Sequence, residues 1–138
     1  MPNAPGDDKG EVDVKRISML LHEEPVGLDR TPLETLHRQL GRAGAENVTC
    51  RTLEDLSERL ADLRPFAGGC RTDTERLARG LAGVAEQIGL TMLARVAGDV
   101  ACCANRGDFA ALSATLARLE RIGDRSLSAI WDLQDLSV

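Results

Sequence analysis

Few side chains in this 138-residue sequence could do chemistry, and they are scattered. His22 and His37 are the only imidazoles, the groups able to hold a phosphoryl group on nitrogen, shuttle a proton or ligate a metal. His37 stands four residues after Leu33 and three before Leu40. On a helix that spacing makes it a partly covered structural residue before it makes it a catalytic one. His22 precedes Glu23, Glu24 and Pro25 and reads as an ordinary surface histidine. Neither has a cysteine, an aspartate or a second histidine at the spacing of a metal site or a nucleophile triad. Cys102 and Cys103 are neighbours that point ~100° apart on a helix, so they are poor partners for one ion. Together with Cys50 and Cys70 they are expected to serve as small buried hydrophobes. No catalytic centre, metal site or cofactor site is expected.

The informative stretch runs from Thr72 to Asp108 and reads as two helices joined at a tight turn on Gly89. Leu77, Leu81, Val84 and Ile88 recur at steps of three and four, which places them on one side of the first helix. Arg79 points about the opposite way, with Arg76, Ala82, Gly83 and Glu86 around it. Gly80 and Gly83 weaken this helix, since glycine costs about 1 kcal/mol relative to alanine in a helix interior. Two readings stay open. The glycines are merely tolerated, or a protein or a phosphate lies flat against the helix at Gly83.

The run Leu77-Ala78-Arg79-Gly80-Leu81-Ala82-Gly83, followed by Ile88-Gly89-Leu90, Leu93, Ala97, Val100 and Asp108, resembles the histidine-containing phosphotransfer (Hpt) domain of bacterial phosphorelays. The likeness covers about half the chain, and the family motif is His-x-Leu-Lys-Gly with an apolar-Gly pair downstream. Leu81 matches its leucine and Gly83 its glycine, while the phosphoacceptor histidine falls on Arg79 and the lysine on Ala82. The resemblance implies an up-and-down four-helix bundle. It also implies a docking face for a receiver or histidine-kinase domain at Arg76, Arg79, Ala82, Gly83 and Glu86. Phosphotransfer is a different matter. A guanidinium stays protonated at physiological pH and offers no lone pair, so Arg79 cannot accept a phosphoryl group. The expectation is therefore a degenerate, non-catalytic Hpt-like module. An active phosphotransfer protein that uses His37, and a structural or dimerising helical protein, are the alternatives.

Composition narrows the classes further. Of the 43% hydrophobic content almost all is Leu, Ala, Val and Ile, and Phe66, Phe109 and Trp131 are the only aromatics, which favours helices over strands. A net charge of −5 gives no basic field for nucleic acid. No apolar run approaches the ~20 residues of a membrane span, so a cytoplasmic protein is expected, with a homodimer left open.

Those helices must be positioned by the rest of the chain. Residues 1–13 read as a disordered leader and 14–138 as one helical domain, divided into an N-terminal extension with the first bundle helix (14–65) and an Hpt-like core (66–138). Val14 to Leu21 is either a short strand or a first helical turn. Thr31, Pro32 and Glu34 have the form of a capping box that opens a helix over 32–43, with Leu33, Leu36 and Leu40 as its stripe and Gly44 as its stop. Residues 45–51 read as extended, which leaves a strand-helix-strand-helix unit as the minority alternative. Thr52 with Asp55 predicts a second box and a helix over 53–63, closed by Pro65. Thr72 with Glu75 predicts a third. Helices are expected near 53–64, 72–88, 91–105 and 109–134, with helix 32–43 packed on the bundle. Gly107 stops the third and Asp108 caps the fourth, whose core face would hold Leu112, Leu116, Leu119, Leu127, Ile130 and Trp131, with a bend at Gly123-Asp124. Leu77, Leu81, Val84, Leu93, Val100, Leu112, Leu116, Leu119 and Ile130 should be largely buried.

Overall fold

Ala45, Thr49, Leu53, Leu56, Leu60 and Leu63 recur at steps of three and four, and all six are buried. A stripe of that period requires one helix across the whole interval. The chain accordingly continues as helix through 45–51, where an extended segment was expected, and α1 runs over Thr31–Leu63. The computed structural model describes residues 27–64 and 70–137, the side chains of 135–137 excepted. The leader 1–13, the segment 14–21, His22 and residues 65–69 of the loop around Pro65 and Phe66 lie outside the described residues. Three more helices follow: α2 over Arg71–Gln87, α3 over Thr91–Arg106 and α4 over Phe109–Ser137.

The break in α1 falls at Gly41, whose φ of 75° and ψ of 176° are non-helical. Helical phase explains it. At ~100° per residue, Leu33, Leu36 and Leu40 would point roughly half a turn away from the buried stripe of residues 45–63 if the helix were straight. One unbroken helix could bury either set and not both. Gly41 turns residues 31–40 back over the bundle, and only glycine takes that backbone readily. Leu33 and Leu36 become half-buried, while Leu40 stays 50% exposed.

Each helix packs on the next and α1 also packs on α4, which closes a four-helix bundle in chain order. Leu53, Leu56, Leu81, Ile88, Leu93, Val96, Val100, Leu119 and Ile130 fill its centre. The α2–α3 contact is the most extensive, and buried Ala78, Ala85, Ala97, Ala101 and Ala104 let those two helices approach closely. Alanine shifts the expected stripe on α2: its buried positions are Thr74, Ala78, Leu81 and Ala85, with Leu77 and Val84 half-buried at the flanks. Leu93, Val100, Leu112, Leu119 and Ile130 are buried as expected, and Leu116 is half-buried. Trp131, expected in the core, is 43% exposed. Gly123, expected to bend α4, is buried, and a Cβ there would come within 2.7 Å of Leu60 Cδ1, so it allows close approach to α1. Only Cys103 of the four cysteines is buried; Cys50 is half-buried and Cys70 and Cys102 are exposed.

The helix starts differ from expectation as well. The amide of Thr31 donates to Asp29 Oδ1 at 3.0 Å, so Asp29 serves the start of α1 that Thr31 and Glu34 were expected to cap. Thr52 is in mid-helix and its hydroxyl donates to the Val48 carbonyl. Thr74 does the same to Cys70, where α2 begins without a side-chain cap. The end of α3 follows expectation: Gly107 is left-handed at φ 73°, and Asp108 Oδ1 accepts from the Ala111 amide at 3.1 Å. At the other end Gly89, φ 90°, turns α2 into α3 and is gripped from outside. The Asp29 amide donates to the Gly89 carbonyl, and the Thr91 amide and hydroxyl donate to the Gly27 carbonyl, around an isolated antiparallel bridge of Leu28 with Leu90. Among the described residues no helix is long and apolar enough to cross a membrane.

Candidate functional site

The solvent face of α2 carries the residues singled out by sequence. Arg76, Arg79, Gly83 and Glu86 are all exposed along it. Ala82 is half-buried and packed against the core, so it belongs to the margin of the face and not to its centre. The two mid-helix glycines have separate explanations. A Cβ on Gly80 would lie 2.7 Å from Arg59 Nη1, so Gly80 makes room for an α1 guanidinium that is itself held by Asp55 at 3.1 Å. Gly83 has nothing within 4 Å of such a Cβ. It faces open space.

Arg79 is not a loose cation. Its Nε and Nη2 both donate to Glu75 Oε2, at 3.1 and 2.9 Å, one helical turn earlier. Asn105 of α3 donates from Nδ2 to Glu75 Oε1 at 3.3 Å, so Glu75 links the two helices beneath the guanidinium. These bonds stabilise the ionised carboxylate and hold Glu75 below its ordinary value of 4.5, with Arg79 as the larger cause and Asn105 next. A lowered folded-state value means that the favourable contribution is present above the ordinary carboxyl value and fades as the pH falls through the lowered one. A carbon-13 titration of the Glu75 carboxyl should therefore have its midpoint below 4.5, and Arg79→Ala should move it upward. A midpoint unmoved by that substitution would show that the pair does not form in solution. Arg76 lies 3.6 Å from Asp73 in a more exposed pair.

The i to i+4 spacing of Glu75 and Arg79 is visible in sequence, although Glu75 was expected to serve a capping box. Asn105 could not be found that way, because it reaches the site only through the packing of α3 on α2. His37 is exposed, contrary to the partly covered position expected for it. It lines a cleft of about 270 Å³ with Arg30, Glu34, Thr49, Ile130 and Gln134. Among the described residues no group of three or more His, Cys, Asp or Glu side chains could hold a metal ion.

No protein-family model matches the sequence, and no curated protein and no solved structure is similar to it at a significant level. An arginine neutralised on one side by a carboxylate, next to bare backbone, can bind an acidic surface at close range. It cannot carry a covalent phosphoryl group.

Proposed function

We propose that this chain is a non-catalytic, Hpt-like signalling module that docks a receiver or histidine-kinase domain of a phosphorelay on the exposed face of α2. Arg79 and Gly83 form the centre of that face, Arg76 and Glu86 extend it, and Ala82 lies at its margin. The observation that carries the reading is the open space at Gly83: a helix interior that forgoes a Cβ, with nothing of its own chain filling the gap, suits the close approach of a partner's backbone. The all-helical bundle and the placement of Arg79 where the resemblance puts a phosphoacceptor support it.

Arg79 would offer a permanent cation to the acidic phosphorylation pocket of a receiver, and docking would draw it partly away from Glu75. Isothermal titration against receiver domains encoded in the same genome tests the proposal. Affinity should fall with added salt, and Arg79→Glu should reduce it by about tenfold or more, because it sets like charges against each other at the contact. Gly83→Leu should abolish binding by bulk without loss of stability, since leucine gains up to about 1 kcal/mol of helix propensity. Unchanged affinity in both variants would favour the structural or dimerising alternative. The exposure of His37 beside Arg30 keeps the second reading, active phosphotransfer, in view. Radiolabel acquired from a phosphorylated receiver and lost in His37→Ala would establish it in place of the first.

A further inference from the structure

The first ten residues of α1 form an arm that is held loosely. No residue from Thr31 to Gly44 is buried. A cleft of about 510 Å³ lies on one side, between Leu36 of the arm and Val48 and Ile88 of the bundle. The His37 cleft lies on the other. Hydrogen bonds of Gly27 and Asp29 to the Gly89 turn clip the arm in place. The bend itself is permitted at two glycines. Gly41 adopts a backbone that an L side chain rarely takes, and a Cβ on Gly44 would stand 2.9 Å from Leu40 Cβ, an atom fixed to the backbone.

Straightening at Gly41 would relieve both constraints and would make residues 31–63 one regular helix. It would also carry Leu33 and Leu36 away from their own bundle, because the arm's stripe is about half a turn out of phase with the core stripe. The exposed arm needs a groove, and the vacated bundle offers the one in which that arm sits here. Only another copy of the chain presents the same groove with the same complementarity, which makes exchange self-consistent. The two exposed aliphatics beside the break, Leu40 at 50% and Val48 at 37%, would fall on one face of the straight helix, either side of Gly44, where two such helices can cross closely.

We propose that two copies of this chain exchange their arms: Gly41 straightens, and residues 27–40 of each copy occupy the groove and the Gly89 clip of the other. The kinked form is the monomer and the straight form is the dimer, with every arm contact conserved between them. The equilibrium is set at Gly41 and Gly44, at a distance from the α2 face, so it does not depend on how that face is used.

Sedimentation equilibrium of the full chain tests this with two independent variants. Gly41→Ala forbids the kink through its backbone, and Gly44→Ala opposes it through a steric contact absent from a straight helix. Each should tighten dimerisation by about tenfold or more relative to the parent, since alanine favours the straight helix and is strained in the kink. Exchange itself is read by refolding a mixture of two Gly41→Ala, Gly44→Ala chains, one with Glu34→Cys and one with Gln134→Cys, with Cys50, Cys70, Cys102 and Cys103 replaced by alanine in both. Glu34 and Gln134 line one cleft, so a short bismaleimide should join the two chains only where an arm has crossed. The same mixture that retains both glycines, refolded at high concentration, should give the product in smaller yield. Variants that stay monomeric at every concentration would overturn the proposal, as would dimers that yield no cross-chain product.

Discussion

Leu81→Ala should lower the free energy of unfolding by ~2–5 kcal/mol in urea denaturation, one of the two largest effects expected of any single substitution in this chain. Leu81 is fully buried at the middle of α2 and belongs to the continuous core that spans all four helices. Two of the four positions one turn away, Ala78 and Ala85, are already small and buried, so only the half-buried Leu77 and Val84 at the flanks could move towards the space left behind. How far those two flanking side chains close the cavity sets where in the range the cost falls. Domains of this size are commonly stable by about 5–15 kcal/mol, so the variant would lose a large part of its margin. Leu77→Ala is the matched control. Leu77 is half-buried at the edge of the α2 stripe, and its truncation should cost clearly less. Equal costs for the two would mean that the α2 face is rotated relative to the bundle, and the assignment of Arg79 and Gly83 to solvent would fall with it.

The sequence was most legible where local and tertiary signals agree. Residues 71–111 show this: the Gly89 turn, the left-handed Gly107 and the Asp108 cap are each fixed by backbone chemistry that a few neighbouring residues determine. The region 31–63 was harder for a physical reason. Its core stripe passes through Ala45 and Thr49, which are weakly hydrophobic or polar, so the apolar periodicity lapses there although burial continues. The stop was expected at Gly44, whereas the break lies at Gly41, where the phase of the apolar stripe must change. Threonine misled at all three expected boxes: at Thr52 because Ser/Thr-x-x-acid equally fits a helix interior whose hydroxyl bonds back to an earlier carbonyl, and at Thr31 and Thr72 because α1 and α2 start from Arg30 and Cys70, one and two residues earlier. On the α2 face the exposure of Arg76, Arg79, Gly83 and Glu86 followed from angle alone. Ala82 did not, because a methyl group gives no sign of which side of a boundary it occupies. Glu75 and Asn105 illustrate the remaining limit: an interaction between helices depends on their relative rotation, which no single helix encodes.

Gly89→Ala should have the other large effect, and it should act at two places at once. The residue has φ 90°, and an added Cβ would lie 2.0 Å from the Asp29 carbonyl oxygen, a backbone atom that cannot swing aside. Left-handed backbone costs a residue with a side chain ~1–2 kcal/mol. Relief of the clash would displace Asp29 and with it the bonds Asp29 N to Gly89 O and Thr91 N to Gly27 O, each contributing ~0.5–1.5 kcal/mol. A total loss of about 2–5 kcal/mol is expected by urea denaturation. The distribution of the loss is more diagnostic than its size. Amide hydrogen exchange should accelerate at Asp29 and Thr91, which report the clip, while Leu93, Val96 and Val100 of α3 should keep an opening energy equal to the reduced global stability. Gly123→Ala separates this from a general intolerance of β-carbons. Its clash would be with the terminal Cδ atoms of Leu60, which can change rotamer, so its cost should be smaller and should leave the Asp29 amide protected. If Gly89→Ala left exchange at Asp29 unchanged, residues 27–29 would not be clipped to the turn in solution, and the arm would have to be held by the partial burial of Leu33 and Leu36 alone.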